Sequence, residues 1–372
     1  MAQATAMAGP VPVSGLSPAP GAKIPRFLAL DAYRGLIMLM LVSHGFGFGE
    51  LKNHPVYGVI ARQFDHVPWE GAVFWDMVQP AFMFIVGAAM PFALAIRRQQ
   101  GASFASTARH VAVRALKLIL LSQILIAISS NRLQFQLINV LSQIAFTYLL
   151  TFWILQLRWR WQAAAAAGLL IVHSALFFLF PGPDGPFSRE GNIGAVIDKA
   201  LLGYNYSGYY VTINFITSTV TTLAGAWTGL LLMSGRSKGR KALWLGAGAA
   251  AGFLLSAALE PFIPNVKRIW TATFTLFSAG WVLLMMLAIY LICEVLEWRR
   301  WTFPLLVIGM NSIFIYSVHM VLTGWLDRSI RVFTGGFTFL GDLAPVAQAC
   351  AVLAAMWYLN YWLYRHKIFL KL

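Results

Sequence analysis

The chain predicts an all-α, polytopic integral membrane protein with about 10 transmembrane helices and both termini cytoplasmic. Three observations carry this. The 372 residues are 59% hydrophobic and only 11% charged, with a mean hydropathy of +0.69, more apolar surface than a soluble domain buries. Apolar runs of about 20 residues recur from position 27 to the end, so the membrane domain is the body of the protein. Those runs lack the alternation of barrel strands, and in lipid a helix satisfies its own backbone.

Taken in order, residues 1–26 are rich in Ala, Pro and Gly and hold no apolar run. They predict a disordered cytoplasmic tail rather than a signal peptide. The single membrane domain is then 27–372. Crossings are expected near 27–48, 72–96, 111–128, 137–157, 163–180, 211–233, 242–259, 270–297, 304–325 and 344–364. The sixth is rich in Thr and Ser, which can bond between helices. A loop of about 30 residues, 181–210, carries three Pro and a cluster of Tyr. Cys293 and Cys350 lie inside apolar runs and read as small buried hydrophobes, with no disulfide and no metal site expected.

Charge orients the bundle. The net charge of +15 reflects basic loops rather than nucleic-acid binding. Of 28 Lys and Arg residues, 18 fall on the side that holds the termini and 9 on the other, with Arg34 inside the first crossing. The excess places both termini in the cytoplasm, in a multi-pass protein of the bacterial inner membrane. Position 66 and the 181–210 loop then face outward.

Ionisable groups at or inside the membrane are costly and mark function by default. The stretch FDHVPWEGAVFWDMVQPAFMFIVGAAM (64–90) puts His66 at the lip of an apolar run, beside Asp65, three residues before Trp69 and ten before Asp76. An imidazole there is either an interfacial residue or an acid–base group, oriented in the second case by Asp65 or Asp76. Asp31 and Arg34 share a helical face, as a structural ion pair or as a contact to a charged ligand. Asn311 and His319 also fall on one face and line a polar cavity or bond between helices. His44, His54, His110, His173 and His366 show no partner pattern and read as structural. The phosphate-loop and zinc HExxH signatures are absent from the sequence. On the residues alone, a transporter and a membrane enzyme stay open.

Several stretches are familiar: LDAYRGLIMLMLV (30–42), HVPWEGAVFWDMVQPAFMFIVG (66–87), GMNSIFIYSVH (309–319) and YRHKIFLKL (364–372), with weaker similarity in IDKALLG (197–203) and IPNVKRIW (263–270). Together they resemble the heparan-alpha-glucosaminide N-acetyltransferase family of transmembrane acyltransferases, in family order over nearly the whole chain. The resemblance implies transfer of acetyl from cytoplasmic acetyl-CoA to an extracytoplasmic amino sugar, with the active histidine beginning the HxxWxG stretch at His66. It departs at Ser43, followed by His44, where the family carries an asparagine. With His66 so implied, the candidate catalytic set is His66, Asp76, Asn311 and His319, and the candidates at the acceptor are Trp69, Asp65, Ser43, Lys267 and Trp270. Acetyl transfer needs a base and donors for the oxyanion. The phosphates of CoA suit the basic rims, with Arg34, Arg97, Arg98, Arg114, Lys117, Arg236, Arg240 and Lys367 as candidates.

The expected partners are the bilayer, acetyl-CoA, a sugar acceptor and a second copy of the chain in a homodimer. The alternatives are an O-acyltransferase of envelope polysaccharide, and a sugar or glycan transporter without acyl transfer.

Overall fold

The computed structural model describes residues 26–370, so the expectation of a disordered tail over 1–26 lies outside them except at Arg26. The helices are α1 (Leu28–Val42), α2 (Gly58–Ala61), α3 (Val78–Gln99), α4 (Phe104–Ser130), α5 (Val140–Ile154), α6 (Trp159–Leu179), α7 (Ile193–Leu202), α8 (Phe215–Met233), α9 (Lys238–Leu259), α10 (Ala272–Tyr290), α11 (Phe303–Met310), α12 (Ser312–Thr334) and α13 (Ala344–Arg365). Short 3-10 turns join several of them. Among the described residues there are no strands longer than an isolated bridge, at Gly71–Val266 and Gly182–Gly185.

By length and composition, seven segments of the described residues could cross a membrane: Phe74–Gln99, Phe104–Ser130, Trp159–Leu179, Ser207–Met233, Lys238–Leu259, Ala272–Val295 and Ser312–Arg365, the last joining α12 and α13. A helical membrane protein follows. The expected count of about 10 rests further on α1 and α5, which have 15 residues each. At 1.5 Å per residue such a helix reaches about 22 Å, short of a hydrocarbon core of about 30 Å.

Three expected crossings are broken by identifiable chemistry. The first stops at Val42 rather than 48, because the backbone turns left-handed at His44, Gly45, Phe46 and Gly47. Glycines make that turn inexpensive at two of the four positions. The eighth begins at Ala272, since 263–271 folds as a tight loop instead of helix. The ninth divides at Asn311, whose φ of −120° and ψ of 42° separate α11 from α12.

The central core gathers Tyr33 and Ile37 of α1, Met83 and Phe84 of α3, and Phe274 and Met286 of α10. Small residues set the closest crossing. A Cβ on Gly87 would overlap the carbonyl of Thr222, and one on Gly225 the carbonyl of Phe84, so α3 and α8 touch backbone to backbone. Outward faces stay apolar, as with Leu116, Leu120 and Ile124 of α4 and Leu243 and Leu254 of α9, which suits lipid contact. Arg26 and Leu28 meet Tyr364, Arg365 and Lys367, so the two ends of the described chain lie at one end of the bundle.

Candidate functional site

Asp76 belongs to the 3-10 turn Phe74–Met77 that feeds α3, and its side chain is fully buried. A carboxylate there needs partners, and three donors converge on it. Its Oδ2 accepts the Val73 N–H at 3.1 Å. Its Oδ1 lies 2.6 Å from His66 Nδ1 and 3.1 Å from Lys267 Nζ. A separation of 2.6 Å between ring nitrogen and oxygen requires a proton between them. With the carboxylate ionised that proton sits on Nδ1, which leaves Nε2 as the nitrogen with a lone pair. Lys267 Nζ is also 3.4 Å from His66 Nδ1. Since Nδ1 donates to Asp76, that approach is a charge beside the ring rather than a hydrogen bond.

Two loops hold these groups in register. Gly71 N–H donates to Asn265 O at 2.8 Å, and Arg268 reaches Val67 O at 3.4 Å, tying 65–71 to 263–271. The second loop closes on itself: Thr271 Oγ1 donates to Pro264 O at 2.8 Å and Trp270 N–H to Lys267 O at 3.0 Å. Thr217 of α8 donates to Trp270 O at 2.6 Å. Trp270 is held at a φ of 47° and fully buried against Phe274, so it shapes this loop rather than facing an acceptor.

The loop that carries His66 continues to Trp69 and Glu70, which with residues 184–190 line an open cavity of about 650 Å³. Trp69 Nε1 donates to Phe187 O at 3.0 Å, and its ring stands perpendicular to Tyr209. Asp65 Oδ1 accepts the His66 backbone N–H at 2.8 Å, and Asp65 pairs with Lys52 at 3.4 Å, so it braces the loop rather than the imidazole ring.

A second cavity, about 760 Å³, opens at the other end of α1 and is lined by Arg26, Leu28, Arg299, Leu306, Met310, Tyr364, Arg365, Lys367 and Phe369. The far end of α1 leads into Phe46 and Phe48, which pack on Phe64, two residues before His66. The basic cavity and His66 are therefore about one length of α1 apart, some 22 Å along the axis. Between them an apolar void of about 30 Å³ is walled by Leu36, Ile37, Met40, Phe74, Met77, Val78 and Met285.

The remaining expected site residues are dispersed. Asn311 is buried at the basic end, where its Nδ2 donates to Ile368 O at 2.8 Å and its Oδ1 accepts Leu370 N–H at 3.0 Å. It pins the chain end that forms the basic cavity. His319 shares Thr323 Oγ1 at 3.2 Å and stands 6.3 Å, ring to ring, from His44. Ser43 is buried and donates to Met40 O at 2.7 Å, capping α1. Of the eight basic candidates for the donor, Lys367 lines the cavity. Arg34 pairs with Asp31 at 2.9 Å, Arg97 reaches Ser106, Arg114 covers Tyr148, and Arg236 covers Trp244. Arg26, Arg299 and Arg365 were not among the expected residues, and their signal was only membership of the basic rim. Among the described residues no group of three or more His, Cys, Asp and Glu could hold a metal ion.

No family model matches the chain. The chain is similar to curated heparan-alpha-glucosaminide N-acetyltransferases. The human protein (Homo sapiens) is 24% identical over 94% of this chain, and the mouse protein (Mus musculus) is 23% identical over 93%. The similarity covers 60% of the length of each of these relatives. At that distance it supports a relationship to membrane acetyltransferases.

Proposed function

We infer that the chain is an acetyl-CoA-dependent membrane acetyltransferase acting on an extracytoplasmic amino sugar or glycan. The observation that carries this is the His66–Asp76 contact at 2.6 Å, on the loop whose Trp69 lines an open cavity, and about one helix length from a basic cavity. Arg26, Arg299, Arg365 and Lys367 suit the phosphates of CoA, with the pantetheine arm directed along α1 toward His66. Trp69 and its neighbours suit a sugar ring.

In the reaction, His66 Nε2 takes the proton of the acceptor amine or hydroxyl as its N–C or O–C bond forms at the acetyl carbonyl. The C–S bond breaks and CoA leaves as thiolate, which then takes up a proton. Nε2 can instead accept the acetyl group first and pass it on. In both routes Asp76 holds Nδ1 protonated and fixes the ring.

The test is purified protein in detergent with radiolabelled acetyl-CoA and a panel of amino sugars, in parallel with acceptors whose amines are blocked. Label moving to free amino sugars supports N-acetylation, and label moving to blocked sugars assigns O-acetylation. Sugar uptake or flipping in vesicles without consumption of acetyl-CoA would overturn the reading in favour of a transporter.

A further inference from the structure

Lys267 is 201 residues from His66 in sequence, yet its ammonium ends 3.4 Å from the ring and 3.1 Å from Asp76 Oδ1. Its side chain is only 7% exposed, while that of His66 is 39% exposed. Burying an ammonium is costly, so the loop 263–271 holds it there against a steep preference for water. The contact does more than satisfy Asp76, which already has two other donors.

The charges decide what it does. Asp76 carries one negative charge in a fully buried place. If His66 were its sole partner, the pair would be stable as carboxylate and imidazolium, and an imidazolium has no lone pair with which to take a proton or an acyl group. Lys267 already balances that carboxylate. A second positive charge on the ring would then share the same oxygen with a cation 3.4 Å away. The other charged groups near the ring do not alter this balance. Asp65 is paired with Lys52, Arg268 is bonded to Val67 O and Gly208 O, and Glu70 faces the outer cavity.

We propose that Lys267 is a positioning residue that neutralises Asp76, so that His66 keeps its Nδ1–H hydrogen bond while remaining an uncharged base at Nε2. The role in catalysis rests on the acetyltransferase reading, but the protonation of His66 can be measured without it.

Diethylpyrocarbonate modifies the neutral imidazole, and its rate at the His66 peptide, followed by mass spectrometry across pH, reports the protonation midpoint of that one ring. The full chain in detergent is compared with Lys267→Gln, which keeps a donor to Asp76 but loses the charge, and with Lys267→Arg, which keeps the charge. The midpoint should rise by about one pH unit or more in Lys267→Gln, the scale of removing a neighbouring cation, and stay in place in Lys267→Arg. Asp76→Asn combined with Lys267→Gln should bring it back down. In the transfer assay, the acid limb of the kcat profile should move with it, with the acetyl-CoA KM unchanged. An equal midpoint in wild type and Lys267→Gln overturns the proposal, as does loss of the folded protein in both single variants, which would make Lys267 scaffold alone. A chain that transfers no acetyl at all sinks the functional reading and leaves the labelling result to decide the role of Lys267.

Discussion

Asp76 reaches back ten residues to hold His66 Nδ1 at 2.6 Å, so the turn that starts α3 fixes the tautomer of a ring on the preceding loop. Neither residue can be changed without altering what the other presents.

His66→Ala should lower kcat by about two to four powers of ten, the scale for losing a positioned acid–base group. The ring is partly exposed and its removal leaves Asp76 with Lys267 and the Val73 N–H. Thermal unfolding and acetyl-CoA binding should therefore change little. Near-normal turnover with any acceptor the protein uses would remove His66 from the mechanism.

Asp76→Asn should be worse for the fold and as damaging to turnover. An amide can present a donor to Nδ1, which turns the ring to the wrong tautomer, a change that costs about four powers of ten in kcat where it has been isolated. It also leaves Lys267 buried without a counter-charge, at about 3–5 kcal/mol. The check is a melting temperature clearly below that of His66→Ala. Equal melting temperatures would mean that the carboxylate charge does not hold Lys267.

Much of this was legible in the residues. The long apolar runs appear as helices because lipid-facing and core-facing positions are both apolar, and His66 with Asp76 could be paired from one short stretch. Lys267 could not be read as their partner, because nothing local indicates a contact 201 residues away. The break at Asn311 was hidden inside a continuous apolar run, and its cause is a tertiary bond to the chain end. That same fold-back gathers Arg299, Arg365 and Lys367, which explains why a rim count alone spread the donor site over residues such as Arg97 and Arg240 that do not line the cavity.

The basic cavity gives a contrast between two arginines on that end of the bundle. Arg365→Ala should raise the KM for acetyl-CoA about tenfold, the worth of one charge-assisted hydrogen bond, and more at low salt than at high. Arg240→Gln, outside the lining, should leave it unchanged. Should the two variants behave alike, the phosphates are held elsewhere.

Asp198 in α7 offers a stability test away from the chemistry. It is buried, Oδ2 accepts the Thr212 N–H at 2.9 Å, and Oδ1 has no partner. Burial pushes its carboxyl above the ordinary range, against the smaller opposing effect of Thr212. Between the unfolded and folded values the native chain holds the extra proton, so stability falls as pH rises through that window. Above it the ionised form carries the full cost. Asp198→Asn removes this dependence. Its melting temperature relative to wild type should climb as pH rises above about 4, the ordinary carboxylate value. A difference that is flat with pH would show that the native carboxyl titrates as it does in the unfolded chain.

Transfer across a membrane requires the two cavities to face opposite sides. Arg26, Arg299, Arg365 and Lys367 lie at one end of α1, and the excess of Lys and Arg in the sequence falls on the same side, which should be the cytoplasm. The outer cavity, with Gly185 in its lining, should face away from it. A cysteine at Gly185 is then open to a membrane-impermeant maleimide in intact cells, and one at Ser237, in the basic turn before α9, reacts only after permeabilisation. Gly185 has a φ of 111°, so a second outward site at Asp184 guards against a local distortion. With both outward cysteines protected and Ser237 labelled, the orientation is inverted. CoA would then have to enter from the side where the cell does not keep it, and the acetyltransferase mechanism would fail with it.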